Sequence, residues 1–298
     1  MDKVCQYIDN FNNTPYTITN KIIGEGKSSI VYYGYNKIDL KEVAIKKSSL
    51  VNNKGHNIYF EAMLMKKLVH KGIPKIYGFY KDKLHYYIVM EYIKGEDLID
   101  YILNYNKKIE LSKIKKFSRQ LVEIIKYVHN NNIIHRDIKL ENIIIEKGTE
   151  RLVLIDFGFG DIIQYKNGIE TTFDKFCGSP AYVAPEIWDN KVYCGKPVDI
   201  WSLGVVIYTI TMGKFPYNSD NIDDINENDS NNSNDSNDSN DSNQRIYNNI
   251  ILKKVAFDGI QTELSNFLKS MLTIDPEERV DINSLSQSPW IKNNYFTL

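Results

Sequence analysis

Between residues 16 and 92 the chain alternates apolar and polar positions in short runs: YTITNKIIGEG, SSIVYYGYN, EVAIKK, KIYGFYKD and HYYIVMEY. A period of two, rich in β-branched and aromatic residues, predicts strands joined by turns. One run breaks the alternation. NIYFEAMLMKKLVH places its apolar residues at helical spacing and predicts a helix. From about residue 98 the helical period takes over. LSKIKKFSRQLVEIIKYVHNN predicts an amphipathic helix, and VDIWSLGVVIYTITMG is apolar nearly all round, which predicts burial on every side. The expected class is α+β with two lobes: a small β-rich lobe with one main helix over 16–92, and a larger helical lobe over 96–292. Residues 1–15 form an N-terminal extension, and the join near Glu91–Gly95 is a candidate hinge.

One stretch fits neither lobe. Residues 218–244 contain three consecutive Asn-Asp-Ser repeats and no Lys or Arg. Such a composition cannot bury enough apolar surface to offset the entropy of ordering, so this insertion within the larger lobe is expected to be disordered. It also holds eight of the 38 acidic residues, leaving 30 against 37 basic ones elsewhere, although the whole chain is near neutral at −1. That balance favours neither nucleic acid nor a membrane surface as partner. Cys5, Cys177 and Cys194 are odd in number and form no CxxC pair, which fits a reducing compartment and argues against a zinc site. The first residues hold no apolar stretch suited to a signal peptide, Asp2 excludes N-myristoylation, and no apolar run is long enough to span a bilayer. An intracellular location, cytoplasmic or nuclear, is expected.

The candidate chemistry starts at IGEGKSSIVYYGY. Gly24 and Gly26 end a strand-like run, and Ser29 takes the third position of G-x-G-x-x-G. A P-loop fails because residue 21 is Lys, and a dinucleotide fingerprint fails because a strand follows rather than a helix. A glycine-rich hairpin over nucleotide phosphates, followed by Val31, fits, although an ordinary hairpin turn would look the same in isolation. Downstream, VAIKK puts Lys46 on the polar side of an apolar strand, where it can reach phosphate oxygens, and Glu61 on the next helix can hold it. In IHRDIKLENIII, charged groups crowd between isoleucine runs, which suits a loop at a cleft rather than a core. Asp137 can accept a hydroxyl proton and Lys139 can neutralise a transferring phosphoryl group. Asn142, with Asp156 at the end of LVLID, offers hard oxygen ligands suited to Mg2+.

Together these segments resemble the eukaryotic protein kinase family over roughly residues 16–292, through G-x-G-x-x-S-x-V, VAIK, the helix glutamate, HRDIKLEN, DFG, APE, DIWSLG and DPEER…PW in family order. The resemblance is to serine/threonine kinases, most like the calcium/calmodulin- and AMP-activated-kinase-like group. It implies the bilobal protein kinase fold, ATP and Mg2+ (Mn2+ as the substitute), protein substrates with Ser or Thr acceptors, and a monomer. It further implies that Gly24, Gly26, Val31, Ala44 and Met90 line the nucleotide site and that the backbone of Glu91 and Ile93 bonds adenine. Lys46, paired with Glu61, would hold phosphates, Asp137 would be the catalytic base with Lys139 beside it, and Asn142 and Asp156 would hold the metal. Glu186 and Arg279 would form a buried ion pair, and Asp199 would brace the HRD loop. A catalytically silent nucleotide-binding scaffold and a kinase of small molecules are the competing readings.

Two departures bear on specificity and control. Asp97, Asp100 and Glu141 fall where basophilic relatives carry carboxylates that read arginines upstream of the acceptor, but a further acidic position is Thr209 here. In many relatives the residue three before the Cys-Gly glycine is a threonine whose phosphate pairs with the HRD arginine. Here it is Lys175, with Thr171 and Thr172 upstream; the lysine either faces Arg136 across the loop, points to solvent, or pairs with Asp174 or Asp161. Activity independent of activation-loop phosphorylation is the expectation.

Overall fold

The computed structural model describes residues 10–26, 29–50, 58–104, 109–189, 192–217, 247–251 and 255–293. The expected disordered insertion at 218–244 lies outside the described residues. The five alternating runs become β1 (Tyr16–Glu25), β2 (Ser29–Asn36), β3 (Glu42–Ser49), β4 (Ile76–Lys81) and β5 (His85–Glu91). They pair antiparallel in the order β1-β2-β3-β5-β4. Successive side chains point to opposite faces, so β3 is divided. Val43 and Ile45 join Phe11, Tyr87 and Val89 on one face, with Phe11 stacked on Tyr87 at 4.1 Å. Phe11 belongs to the segment read as an extension, yet it is buried. On the other face Ala44, Ile88 and Met90 merge with the main core. The helical run forms α1 (Ile58–Lys67), whose Ile58, Ala62, Leu64 and Met65 enter that same core.

β5 ends at Glu91, and β6 (Gly95–Asp97) opens the helical lobe by pairing with β8 (Ile143–Glu146). The two backbones come so close that a side chain on Gly95 would collide with the Ile145 carbonyl. The candidate hinge therefore ends on a residue that only glycine can supply. Beyond α2 (Leu98–Asn104), α3 (Leu111–Asn130) buries Ile114, Phe117, Leu121, Ile125 and Val128 along one face. A chain segment of short strands follows: β7 (Ile133–Ile134), β8, β9 (Leu152–Leu154), β10 (Asp161–Ile162), β11 (Tyr165–Lys166) and β12 (Ile169–Glu170). α4 (Pro185–Trp188), α5 (Gly195–Met212) and α6 (Thr262–Met271) complete the main framework. Among the described residues no helix is long and apolar enough to cross a membrane.

The apolar helix α5 is buried all round, as its composition requires. It carries one carboxylate, Asp199, which is fully buried. An uncompensated charge there would be costly. Asp199 instead accepts hydrogen bonds from the backbone N–H groups of His135 (2.9 Å) and Arg136 (2.8 Å) and from His129 Nε2 (2.9 Å). A second buried charge, Arg279, forks onto Glu186 at 2.7 and 2.9 Å and gives its remaining donors to the carbonyls of Pro197, Thr273 and Ile274. Both expected braces are therefore present, and both tie α5 or its surroundings to the loops that precede it.

Burial by itself would raise the Asp199 pKa, but the hydrogen bonds from His129 and the His135 backbone outweigh burial and hold it below the usual carboxylate range. A depressed acid pKa contributes stability above the unfolded value and loses it as pH falls through the folded one. Asp199→Asn, which loses charge-assisted hydrogen bonds, should thus cost about 1.5–3 kcal/mol at neutral pH, with the deficit shrinking below about pH 4. Urea midpoints of both proteins across the acid range check this; a deficit that stays constant down to pH 3 would contradict it.

Candidate active site

Lys46 lies on the face of β3 that looks toward α1, not on a polar side. Only 8% of it is exposed. A buried ammonium needs nearby anions, and two carboxylates meet it. Glu61 of α1 accepts at 2.7 and 2.9 Å, and Asp156 accepts at 2.8 Å. Burial opposes the charge on Lys46, yet the attraction of Glu61 and Asp156 overrides it and raises the lysine pKa. Burial pushes the Glu61 carboxyl up, with Asp156 adding to the rise against the pull of Lys46. At Asp156 burial likewise pushes upward but loses to Lys46 and to the Gly158 N–H, so its pKa falls to about 2. Asp156 thus stays ionised, and its side chain remains 46% exposed.

The β8–β9 hairpin explains why Asn142 stands beside Asp156. Ile143 pairs with Leu154, and the Ile155 N–H donates to the Asn142 carbonyl at 2.9 Å. The residues just before β8 and just after β9 therefore share one end of the hairpin. His135 holds the same end from below: its Nε2 meets the Ile155 carbonyl at 3.1 Å, and its ring packs on Phe157 with centroids 4.8 Å apart. Arg136 and Asp156 both adopt positive φ, 61° each, a conformation that non-glycine residues hold only when their surroundings impose it.

Asp137 is buried at 7% exposure, and each carboxylate oxygen is engaged. Oδ2 accepts from Asn142 Nδ2 at 3.0 Å and lies 3.3 Å from Lys139 Nζ. Oδ1 accepts from both the N–H and the hydroxyl of Ser179 at 3.0 Å, while Lys139 donates to that hydroxyl at 2.8 Å. The Asn142 amide nitrogen also donates to the Asp137 carbonyl at 2.9 Å, which leaves Asn142 Oδ1 as an oxygen donor near ionised Asp156. This pair of hard oxygens fits Mg2+, which is held by few protein ligands and completes its shell with water and phosphate oxygens.

The strand register carries the nucleotide-site candidates. Gly24 pairs with Val31 across the β1–β2 turn, and the Gly26 N–H donates to the Ser29 carbonyl at 2.9 Å. Val31 pairs with Lys46, Ala44 with Met90, and Val43 with Glu91. Ala44, Met90 and Ile93 are buried. The glycine turn, the lysine and the hinge residues thus lie on adjoining strands.

Three features escaped the sequence reasoning. Ser179 is a direct partner of Asp137 and Lys139. Arg136 is matched by Asp161, with Nη2–Oδ2 at 2.8 Å; the exposure of Lys175 was one of its expected alternatives. Finally, β11 and β12 form a tight hairpin around Asn167 and Gly168, both with positive φ. The Asn-Gly dipeptide was the available signal for that turn.

Residues 17–291 match the protein kinase domain family. A probable serine/threonine-protein kinase of Dictyostelium discoideum is 30% identical over 93% of this chain and 31% of its own length. Serine/threonine-protein kinase SIK1 of Rattus norvegicus is 32% identical over 91% of this chain and 32% of its own. The chain thus spans about a third of the curated relatives it matches. The crystal structure of Rad53 1–466 in complex with AMP-PNP superposes with a TM-score of 0.72 at 28% identity, covering 93% of this chain and 65% of that one. With the catalytic-loop, lysine–glutamate and α5 geometry already in place, the chain belongs to the protein kinase domain family.

Proposed function

We propose that this chain is a serine/threonine protein kinase that transfers the γ-phosphoryl group of ATP to hydroxyls of protein substrates. The observation that carries this reading is the Asp137 carboxylate, held by Asn142 and Ser179 with Lys139 at 3.3 Å. The names of the curated relatives and the nucleotide analogue in the Rad53 title support the same chemistry.

In this reading Gly24, Gly26, Val31, Ala44 and Met90 enclose the nucleotide, and the backbone of Glu91 and Ile93 bonds adenine. Lys46 orients the α- and β-phosphates because Glu61 fixes its ammonium. Asn142 and Asp156 would hold Mg2+, which when bound neutralises phosphate charge. The acceptor hydroxyl donates to Asp137 as its oxygen attacks the γ-phosphorus. The bond to the β-phosphate oxygen breaks, ADP leaves, and the proton passes to Asp137. Lys139 offsets negative charge on the group in transit. Ser179, at the other end of the activation segment, keeps Asp137 and Lys139 in register.

Asp97, Asp100 and Glu141 support preference for basic residues upstream of the acceptor. Burial raises the Asp97 pKa, and the charges of Asp100 and Glu141 add to the rise against the Asp100 backbone N–H. A mutually repelling carboxylate group of this kind is relieved by a guanidinium. Two facts narrow the site: Glu141 already accepts from the Tyr182 hydroxyl at 3.0 Å, and Thr209 is fully buried with its hydroxyl on the Val205 carbonyl. Selection should therefore be strongest about three residues upstream and weaker nearer the acceptor.

Asp137→Asn should bind ATP nearly as wild type does and lose roughly 10²- to 10⁴-fold in phosphotransfer. Nucleotide binding alongside radiolabel transfer to a basic protein measures both. Transfer retained in the variant would remove Asp137 from the proposed role, and a wild type that binds ATP without transfer would make the chain a scaffold. A second check uses peptides. Asp97→Asn should lower kcat/KM about tenfold for a peptide with arginine three residues upstream and leave an alanine-substituted peptide unaffected. Equal effects on the two peptides would count against a basic-residue pocket.

A further inference from the structure

Arg136 immediately precedes the catalytic Asp137, and only 9% of it is exposed. A buried guanidinium needs an anion close by. Its Nε donates to the Phe159 carbonyl at 2.8 Å, its Nη2 donates to Asp161 Oδ2 at 2.8 Å, and its plane lies over the Phe173 ring at 4.9 Å. These three partners come from the activation segment, and Tyr193 beyond it also approaches the guanidinium. Asp161 is delivered by backbone pairing: β10 runs antiparallel to β7 with Asp161 opposite Ile134, two residues before Arg136. The next turn is fixed as well, since the Ile163 N–H donates to the Asn132 carbonyl at 2.8 Å. The second Asp161 oxygen accepts from the Ile162 N–H at 2.8 Å, which sets the carboxylate's direction.

We propose that Asp161 is a positioning residue for phosphotransfer: its carboxylate gives Arg136 a permanent negative partner and so orders the activation segment without an added phosphate. The inference rests on the proposed kinase activity and names how its site is held. The Arg136 N–H is bonded to Asp199, so the guanidinium and backbone of one residue join the segment to the α5 brace. From there order passes to Asp137 through the chain itself and to Ser179 through the far end of the segment.

The rest of the segment carries its own fastenings. The Asn167-Gly168 turn closes β11 on β12, and Thr171 caps the hairpin by donating both its N–H and its hydroxyl to the Gln164 carbonyl. Phe173 and Tyr193 exchange backbone hydrogen bonds at 2.8 Å each. At Gly178, with φ of 102°, a side chain would sit 2.9 Å from the Arg136 carbonyl, so glycine lets the segment close onto the catalytic loop. Arg136, Asp161, Phe173 and Lys175 line one cavity of about 320 Å3 together with Phe60 of α1. Lys175 lines the same cavity as Arg136, so an acidic side chain at that position is placed to offer the guanidinium a second carboxylate.

That geometry defines the experiment. Asp161→Asn, Asp161→Glu, Lys175→Glu and Asp161→Asn/Lys175→Glu are compared with wild type for kcat, for KM of ATP and of a peptide, and for hydrogen exchange over residues 159–175. Asp161→Asn should lower kcat roughly 5- to 150-fold, the usual span of a coupling between sites, with KM for ATP little changed and exchange over 159–175 faster. Asp161→Glu should keep most of the activity, Lys175→Glu alone should stay near wild type, and the double variant should recover much of the loss. Wild-type kcat or unchanged exchange in Asp161→Asn would overturn the proposal. So would a loss that the double variant fails to recover, which would mark a role in folding alone. If wild type itself transfers no phosphate, the proposed function fails, while the exchange comparison still decides on Asp161.

Discussion

One buried ammonium joins three separate elements of this molecule. Lys46 belongs to the sheet, Glu61 to α1 and Asp156 to the start of the activation segment, and all three meet within 2.9 Å. Removing Lys46 would leave the buried Glu61 carboxylate without a counter-charge, which is far more costly than losing a surface ion pair. The arrangement therefore holds the small lobe, its helix and the segment after β9 in one relative position. Each partner in turn depends on ordinary structure: Lys46 on the parity of β3, Glu61 on the apolar face of α1, and Asp156 on the β8–β9 hairpin.

The larger lobe supplies the complementary constraint. α5 is an apolar rod whose one buried carboxylate, Asp199, collects two backbone N–H groups and a histidine from the segment leading into Asp137. That brace imposes the positive φ at Arg136 and fixes where Asp137 points. The same loop is closed from the far side by Ser179. Rigid elements thus set the loop at both ends, and what remains to be ordered is the stretch between Phe157 and Ser179. The proposed role of Asp161 is to order it with a carboxylate that is always present.

Much of this was legible in the residues themselves. Period-two runs became the five strands of one sheet, and the amphipathic and apolar helices appeared where spacing placed them, because local periodicity reports which face is buried. The charges of IHRDIKLEN are buried or half-buried and matched by one another and by Asp161 and Ser179. The family resemblance supplied three pairings across distance, Lys46 with Glu61, Glu186 with Arg279 and Asp199 with the HRD loop, and all three are present. What escaped were partners that no motif names. Nothing near Lys46 in the chain indicates that it is buried, since its two carboxylates lie 15 and 110 positions away. Arg136 could be imagined facing Lys175 because nothing in one dimension says that β7–β10 pairing brings Asp161 there first. The Asn-Gly hairpin was a local signal, obscured by attention to the threonines beside it.

The central claim is that the site is assembled without a phosphate on the activation segment. Its most direct test is the initial rate of peptide phosphorylation by chain expressed in bacteria, with the phosphate content of residues 157–186 determined by mass spectrometry before and after phosphatase treatment. The account predicts equal rates for protein shown to carry no phosphate in that stretch, and equal rates again after Thr171→Ala/Thr172→Ala substitution. Activity that vanishes with the phosphatase and returns only after modification of either threonine would contradict it.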